Sequence, residues 1–327
     1  MIRSFKIFSL ISALFLTFAS CNQNYFTYNG QTWGTTYHIV YKSPTSLNND
    51  IDSILRYIDN ELSMFNSSSV VSAINKGSCD VASNAFIDVF NLSKSINKLS
   101  GGVYDPTIGP LCDLWGFGNT QENDVPSDSA IFRALQAVGI ADCYIDSENK
   151  IHKKQANTSF DFSSIAKGYG IDCIGKHLEK NGVINYMIEI GGEVLCKGIN
   201  SKGDKWRIQI DAPVSGLTHE RLSIIELGPE SVALATSGNY RNFKSDREGN
   251  IYGHTLSPLT GMTVKGQLLA ATIKARDCAT ADAVATACMA SATLDSAIAI
   301  VKRANVEGLI VYADSDSIAI LSTENFE

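Results

Sequence analysis

The sequence predicts an α+β fold, and three observations carry that reading. Runs rich in β-branched and aromatic residues are intermixed with amphipathic helical patterns, without the regular strand–helix rhythm of a parallel sheet. Hydrophobic residues make up 44% of the 327, enough for a sizeable core. Charged residues stand at only 19%, with 12 Tyr, 14 Phe and 7 Pro, which argues against a disordered or linker-rich chain.

The elements follow in order. Residues 22–44 read as strands, because Thr32, Trp33, Thr35, Thr36, Tyr37, Ile39, Val40 and Tyr41 are strand formers. Ile51, Ile54, Leu55, Ile58 and Leu62 recur at helical spacing. Phe86, Val89, Phe90, Ile96 and Leu99 mark a second helix closed by Gly101-Gly102, and Ile131, Leu135 and Val138 a shorter third. A further helix spans 164–180 and stops at Asn181-Gly182. Strands are expected at 185–190, 206–210, 222–227 and 269–275, helices at 281–291 and 295–303, and closing strands at 308–312 and 318–321. No fixed-period repeat or linker divides the chain, so residues 21–327 are expected to form one unit with two lobes.

Residues 1–20 stand apart. Arg3 and Lys6 precede an apolar run from Ile7 to Phe18, shorter than the roughly 20 residues of a spanning helix. The run ends at Ala19-Ser20-Cys21 and polar residues follow, which resembles a bacterial lipoprotein signal with Cys21 as the acylated N-terminus; Phe18 stands where Leu is usual. Such a chain is expected to be exported and lipid-anchored to a bacterial membrane, facing the periplasm. Net charge is −7, and −9 without Arg3 and Lys6. An acidic chain suits a phosphate backbone poorly, so nucleic-acid partners are excluded. The cysteines after Cys21 show no CxxC or Cys/His ligand spacing, and Cys196 and Cys288 read as small core residues.

Six polar or small-residue segments carry the candidate chemistry. Gly101-Gly102-Val103-Tyr104-Asp105 leads through Gly109 to Trp115-Gly116-Phe117-Gly118, where glycines permit close approach and aromatics can face a flat ring; a turn followed by an aromatic core cluster fits equally. Asp161 to Gly170 places Ser163 and Ser164 at a helix start, which offers free N–H groups to phosphate oxygens, with Lys167 to neutralise charge. The plainer reading makes Ser163 an N-cap and Lys167 a solvated cation. Glu189-Ile190-Gly191-Gly192-Glu193 ends a strand at a turn, and Ala235 to Phe243 adds hydroxyls and Arg241. Tyr252 to Gly261 sets His254 before a turn. Finally, Asp282 and Thr286 lie four apart on a helix, one face presenting a carboxylate and a hydroxyl, a pair suited to a hard ion such as Mg²⁺. Otherwise Asp282 is a helix-entry residue and Thr286 bonds back to its own helix.

In this order the segments resemble the ApbE family of FAD:protein FMN transferases. The resemblance runs over Trp33-Gly34-Thr35-Thr36-Tyr37, Glu61-Leu62-Ser63-Met64-Phe65-Asn66, residues 104–111 and 114–118, and Ala166-Lys167-Gly168-Tyr169. It continues through Glu189 to Glu193, Ala235-Thr236-Ser237-Gly238, His254 with Pro258 and Thr260-Gly261, and Asp282 with Thr286. It implies an ApbE-like, T-fold-related architecture of mixed sheets and packed helices around an FAD cleft. The implied activity is Mg²⁺-dependent cleavage of the FAD pyrophosphate, transfer of FMN to Thr or Ser of a target flavoprotein subunit, and release of AMP. By the same resemblance Asp282 and Thr286 hold Mg²⁺ with a backbone carbonyl from Ser164 to Ala166. The resemblance further implies that FAD lies against Trp33, Phe65, Val103, Tyr104, Asp105, Asp161, Lys167 and Leu256, and that His254 is the general base. Trp33 stands where the family commonly has Met, Phe65 where Tyr is common, and Ser257 where Asp or Asn is usual. The alternatives are an FAD pyrophosphatase that gives FMN and AMP, and a non-enzymatic FAD-binding lipoprotein.

Overall fold

A computed structural model of the chain describes residues 24–118, 125–213, 221–238, 243–245, 251–315 and 317–326. The signal-like segment, Cys21 and Arg241 lie outside these residues. The described chain opens with a hairpin, β1 (Asn24–Thr32) and β2 (Thr35–Ser43). Both central turn residues, Trp33 and Gly34, have positive φ, as a mirror-image hairpin turn demands. Alternation along β2 sends Tyr37, Ile39 and Tyr41 into the core and His38 to the other face.

Three helices follow, α1 (Asn48–Leu62), α2 (Val70–Lys76) and α3 (Asn84–Ser100). The Ser69 and Ser83 hydroxyls cap α2 and α3, and left-handed Gly77 and Gly101 end them. Next come α4 (Gly109–Leu114), α5 (Asp128–Leu135), a small hairpin of β3 (Tyr144–Ile145) and β4 (Ile151–His152), and α6 (Ala166–Lys180). The second half contributes β5 (Tyr186–Ile190), β6 (Glu193–Lys197), β7 (Trp206–Asp211), β8 (Arg221–Leu227), β9 (Val232–Gly238), β10 (Phe243–Ser245) and β11 (Ile251–Gly253). It closes with β12 (Leu268–Ala275), α7 (Cys278–Ala290), α8 (Leu294–Ala304), β13 (Glu307–Asp314) and β14 (Ser317–Ser322).

Eight strands form one sheet in the order β1-β2-β5-β6-β9-β12-β13-β14, every neighbouring pair antiparallel. The helices lie on one face, where Ile39, Ile51, Phe86, Ile171, Ile188, Ala235 and Val284 form the main core. On the other face the β7–β8 hairpin packs Trp206, Ile210, Ile225 and Leu227 against Val194, Leu234 and Val311. A satellite cluster of Leu111, Cys112, Trp115, Ile131, Val138 and Leu256 holds α4 and α5 together. This is the expected α+β class. No described helix is long and apolar enough to cross a membrane.

Beyond the elements expected from sequence, the structure has strands β3, β4, β6, β9, β10 and β11 and the short helices α2 and α4. Strand β9 is Val-Ala-Leu-Ala-Thr-Ser-Gly, whose small residues have weak strand preference but give α7 room to lie close. Helix α7 is alanine-rich and buried on all sides, with Asp282 its buried carboxylate. Ser163 is not the cap of α6: the helix starts at Ala166, and the Ser163 hydroxyl donates to Asp161 Oδ1 at 2.5 Å. Nor does Asp282 open its helix, because Asp277 caps α7 by accepting from the Thr280 N–H at 2.8 Å.

Helices α6 and α7 meet at Gly168, where a Cβ would lie 2.4 Å from the Cys278 carbonyl oxygen. Four residues on, Asp172 accepts from the Cys278 and Ala279 N–H groups at 2.8 and 2.9 Å, a side chain of one helix closing the open end of the next. Burial raises the Asp172 carboxyl to about 7, and the two N–H bonds oppose that rise.

Gly168→Ala is expected to destabilise the protein by about 2 kcal/mol in urea unfolding, although the change favours an isolated helix by about 1 kcal/mol. The raised Asp172 value has a sign: the folded state binds a proton that the unfolded chain has released above 3.8, so this stability is fully present below 3.8 and is lost as pH rises to about 7. Urea midpoints measured across that range should fall with rising pH more steeply for wild type than for Asp172→Asn.

Candidate active site

A cavity of ≈ 670 Å³ opens at the ends of β5, β6 and β9, where the left-handed Gly191-Gly192 turn joins two of these strands. The segment after α3 contributes Val103, Tyr104 and Asp105, and the approach to α6 contributes Asp161, Ser164 and Lys167. Strands β5, β6 and β9 add Glu189, Glu193, Thr236 and Ser237, the stretch after β11 adds His254 and Leu256, and α7 adds Asp282 and Thr286. Residues far apart in the chain meet because the sheet interleaves both halves.

Its charged centre is Lys167 with two carboxylates. The ammonium lies 3.1 Å from Glu193 Oε1 and 4.0 Å from Asp282 Oδ2. Asp282 is 3% exposed and also accepts from the Gly168 N–H at 3.3 Å. Burial pushes the Asp282 carboxyl up against the pull of Lys167. Burial likewise raises Glu193 to about 8, with the Asp282 charge adding to the rise and Lys167 opposing it. Burial alone would lower Lys167, but the two carboxylates outweigh it and hold the ammonium charged. Glu193 Oε2 is buried with no hydrogen-bond partner, which costs on the order of 1–3 kcal/mol. Stability does not account for that oxygen, whereas a ligand entering the cavity would.

The neutral oxygens complete the set. Thr286 Oγ1 and Ser237 Oγ are 3.2 Å apart, so Thr286 reaches across to β9 as well as lining the cavity. The Ser164 hydroxyl donates to Tyr104 at 3.2 Å. The Gly168 N–H, one of the open donors at the start of α6, goes to Asp282, while the Ile165 carbonyl accepts from Tyr169 and the Phe162 carbonyl from Ala166. Ser164 precedes the helix and lines the cavity, whereas the Ala166 carbonyl lies within α6. Among the described residues no group of three or more His, Cys, Asp or Glu comes together to hold a metal. A cation here would take Asp282, Thr286 and the Ser164 carbonyl and keep waters, an all-oxygen set with an orphaned buried carboxylate oxygen nearby, which fits Mg²⁺.

The Val103–Asp105 segment is held from behind. Asp105 accepts from the Thr107 N–H at 2.8 Å, the Thr107 hydroxyl at 2.6 Å, the Ile140 N–H at 3.0 Å and Asn97 Nδ2 at 3.3 Å. Burial raises its carboxyl, opposed by these bonds. Asp161 accepts from the Ser163 N–H at 2.8 Å, and its own N–H bonds the Pro106 carbonyl at 2.7 Å. Both acids shape the wall with their carboxylates committed to the chain.

His254 lines the cavity just before a tight turn, in which the Ser257 hydroxyl accepts from the Thr260 N–H at 3.3 Å. Ser257 thus closes the turn. Trp115 Nε1 donates to the Gly261 carbonyl at 2.8 Å and ties the turn to the satellite core, so this tryptophan is a core residue rather than a ring platform. Trp33 does not line the cavity: its indole lies against Gly170 of α6 and donates to the Leu55 carbonyl at 3.2 Å. Phe65 is 64% exposed and likewise stands outside the lining, as does Ala166. Conversely Glu193, given no individual role from sequence, lines the cavity beside Lys167, and Ser237, one of the hydroxyls marked in 235–243, lines it beside Thr286. Glu193 could have been found as an acid directly after two glycines at a strand start.

The chain is similar to known proteins over most of its length. A family model described as the ApbE family matches residues 33–310. The chain is 31% identical to an FAD:protein FMN transferase of Vibrio cholerae over 91% of each chain. It is 29% identical to one of Haemophilus influenzae, over 96% of this chain and 95% of that protein. Among solved structures, the flavin transferase ApbE from Vibrio cholerae superposes with a TM-score of 0.82 at 30% identity, covering 93% of this chain and 98% of the other. The flavinyl transferase ApbE of Pseudomonas stutzeri gives 0.80 at 29% identity, covering 93% and 96%.

Because Asp105 is spent on four donors, Asp105→Ala should destabilise the whole protein by about 3 kcal/mol, read in urea unfolding, rather than weaken ligand binding alone.

Proposed function

The chain belongs to the ApbE family, and on that premise we propose that it is an FAD:protein FMN transferase. It would cleave the FAD pyrophosphate and attach FMN to a threonine or serine hydroxyl of a target flavoprotein subunit. The observation that supports this reading is the buried Lys167–Glu193–Asp282 cluster lining a cavity large enough for a dinucleotide. Phosphoryl-group transfer needs little covalent help from a protein; it needs charge stabilised and groups aligned. Lys167 and the Gly168 end of α6 offer positive potential to the diphosphate. The Val103–Asp105 backbone, Asp161 and Leu256 form the wall against which the rest of FAD is positioned. Mg²⁺ held by Asp282, Thr286 and the Ser164 carbonyl would supply Lewis-acid stabilisation of the diphosphate oxygens.

In the transfer, the acceptor oxygen forms a bond to the FMN phosphorus, the bond from that phosphorus to the bridging oxygen breaks, and AMP leaves with that oxygen. His254 takes the hydroxyl proton, a role for which imidazole is suited near neutral pH. The basic start, short apolar run and Ala19-Ser20-Cys21 support a further proposal, that the protein is exported, lipid-anchored through Cys21 and active at the periplasmic face.

Incubating the protein with FAD, Mg²⁺ and a threonine-bearing flavoprotein domain should add the mass of FMN to that domain. AMP and free FMN with an unlabelled target would mean a pyrophosphatase, and stably bound FAD without AMP a carrier. Asp282→Ala should abolish turnover by removing the one carboxylate of the cation set; turnover near wild type would refute that assignment. His254→Ala should lower the transfer rate by about 10²-fold or more while FAD affinity, followed by flavin fluorescence, stays nearly unchanged.

A further inference from the structure

Glu193 sits where the Gly191-Gly192 turn feeds β6, is 5% exposed, and belongs to neither the cation set nor the wall against FAD. One of its oxygens accepts from Lys167 at 3.1 Å and the other, buried, has no partner. The same ammonium stops 4.0 Å short of Asp282, a distance at which no direct hydrogen bond forms. Lys167 and Asp282 approach from α6 and α7, which lie close at Gly168, and the Gly168 N–H that bonds Asp282 holds the carboxylate but not the ammonium. Unrestrained, a flexible lysine beside a buried carboxylate would close onto it and occupy the position a cation needs.

We propose that Glu193 is a positioning residue that tethers Lys167 and thereby keeps the Asp282 carboxylate open to a divalent cation. The inference rests on the cation reading given above and deepens it. Glu193 acts through Lys167 rather than as a ligand: what it supplies is an acceptor oxygen fixed by the rigid start of a strand. The side chain's effect on the cation should therefore vanish when the lysine is absent, whereas a plain negative charge would attract a cation with or without Lys167.

The test is a double-mutant cycle read by Mn²⁺ binding to the full chain, followed by electron paramagnetic resonance of free Mn²⁺ without FAD or acceptor. Glu193→Ala should weaken Mn²⁺ affinity by about tenfold or more. Glu193→Gln, which keeps an acceptor oxygen, should stay within about threefold of wild type. In a Lys167→Met background, adding Glu193→Ala should change affinity by no more than about twofold. An equal loss in both backgrounds, or a Gln variant as weak as the Ala variant, would overturn the tether and make Glu193 a simple charge. A wild-type chain that takes up no Mn²⁺ would sink the cation reading as well, so the two failures are told apart.

Discussion

The crossing of α6 and α7 is the constraint on which the rest of the molecule depends. Two devices fix it, a glycine where a Cβ would collide with the Cys278 carbonyl and an aspartate of one helix that accepts the open N–H groups of the other. With the crossing set, the first turn of α6 faces the second turn of α7, and Asp282 comes to lie against Lys167 and the Gly168 N–H. A helix start carries positive potential, so a buried carboxylate is tolerable there as it would not be in mid-core. The same potential suits the diphosphate of a dinucleotide. Fold stability and anion recognition thus draw on one feature of the backbone.

The sheet supplies the second half of the site by interleaving the chain. Strands β5 and β6 come just after α6, whereas β9 and β12 come much later, yet β6 pairs with β9 and places Glu193 within reach of Lys167 and Ser237 within reach of Thr286. An antiparallel order of this kind leaves strand ends, rather than a crevice between parallel strands, to shape the cavity. The Gly191-Gly192 turn serves that geometry: left-handed backbone at both positions lets β6 restart with an acid pointing at the helices.

Much of this was legible in the sequence, for reasons that differ by element. Helices α1 and α3 are legible because each presents one apolar stripe to the core, and α3 also ends at Gly101-Gly102. Strand β9 did not, because its alanines are chosen for closeness to α7 and carry little strand signal. The start of α6 was misread at Ser163, since a serine before a helix looks like a cap even when its hydroxyl turns back to Asp161. Asp282, Thr286, Lys167 and the 103–105 segment were marked by motif and do converge on the cavity. Trp33 was marked as well, but pattern alone does not reveal that a turn at positive φ tucks its ring between α1 and α6. The pairing of Lys167 with Glu193 was not visible, because no spacing rule links a helix start to a strand start across a turn.

The acids of the site divide by how much of their accepting capacity the chain consumes. Asp105 serves four donors, Asp172 two backbone N–H groups, and Asp161 both the N–H and the hydroxyl of Ser163. These carboxylates hold loops and helix ends in place, and a ligand would have to displace native bonds to engage them. Asp282 accepts a single long N–H bond, and Glu193 leaves one oxygen with nothing. A buried carboxylate left underused is unfavourable to the fold by itself, since burial raises the free energy of its charge without compensation. That the two underused acids are neighbours, share one ammonium and face the same cavity separates machinery from scaffold on physical grounds. The scaffold acids make the wall rigid, so that the Lys167 ammonium and the two underused acids are already in place when a ligand enters, and reorganisation that would otherwise oppose the reaction is completed when the chain folds.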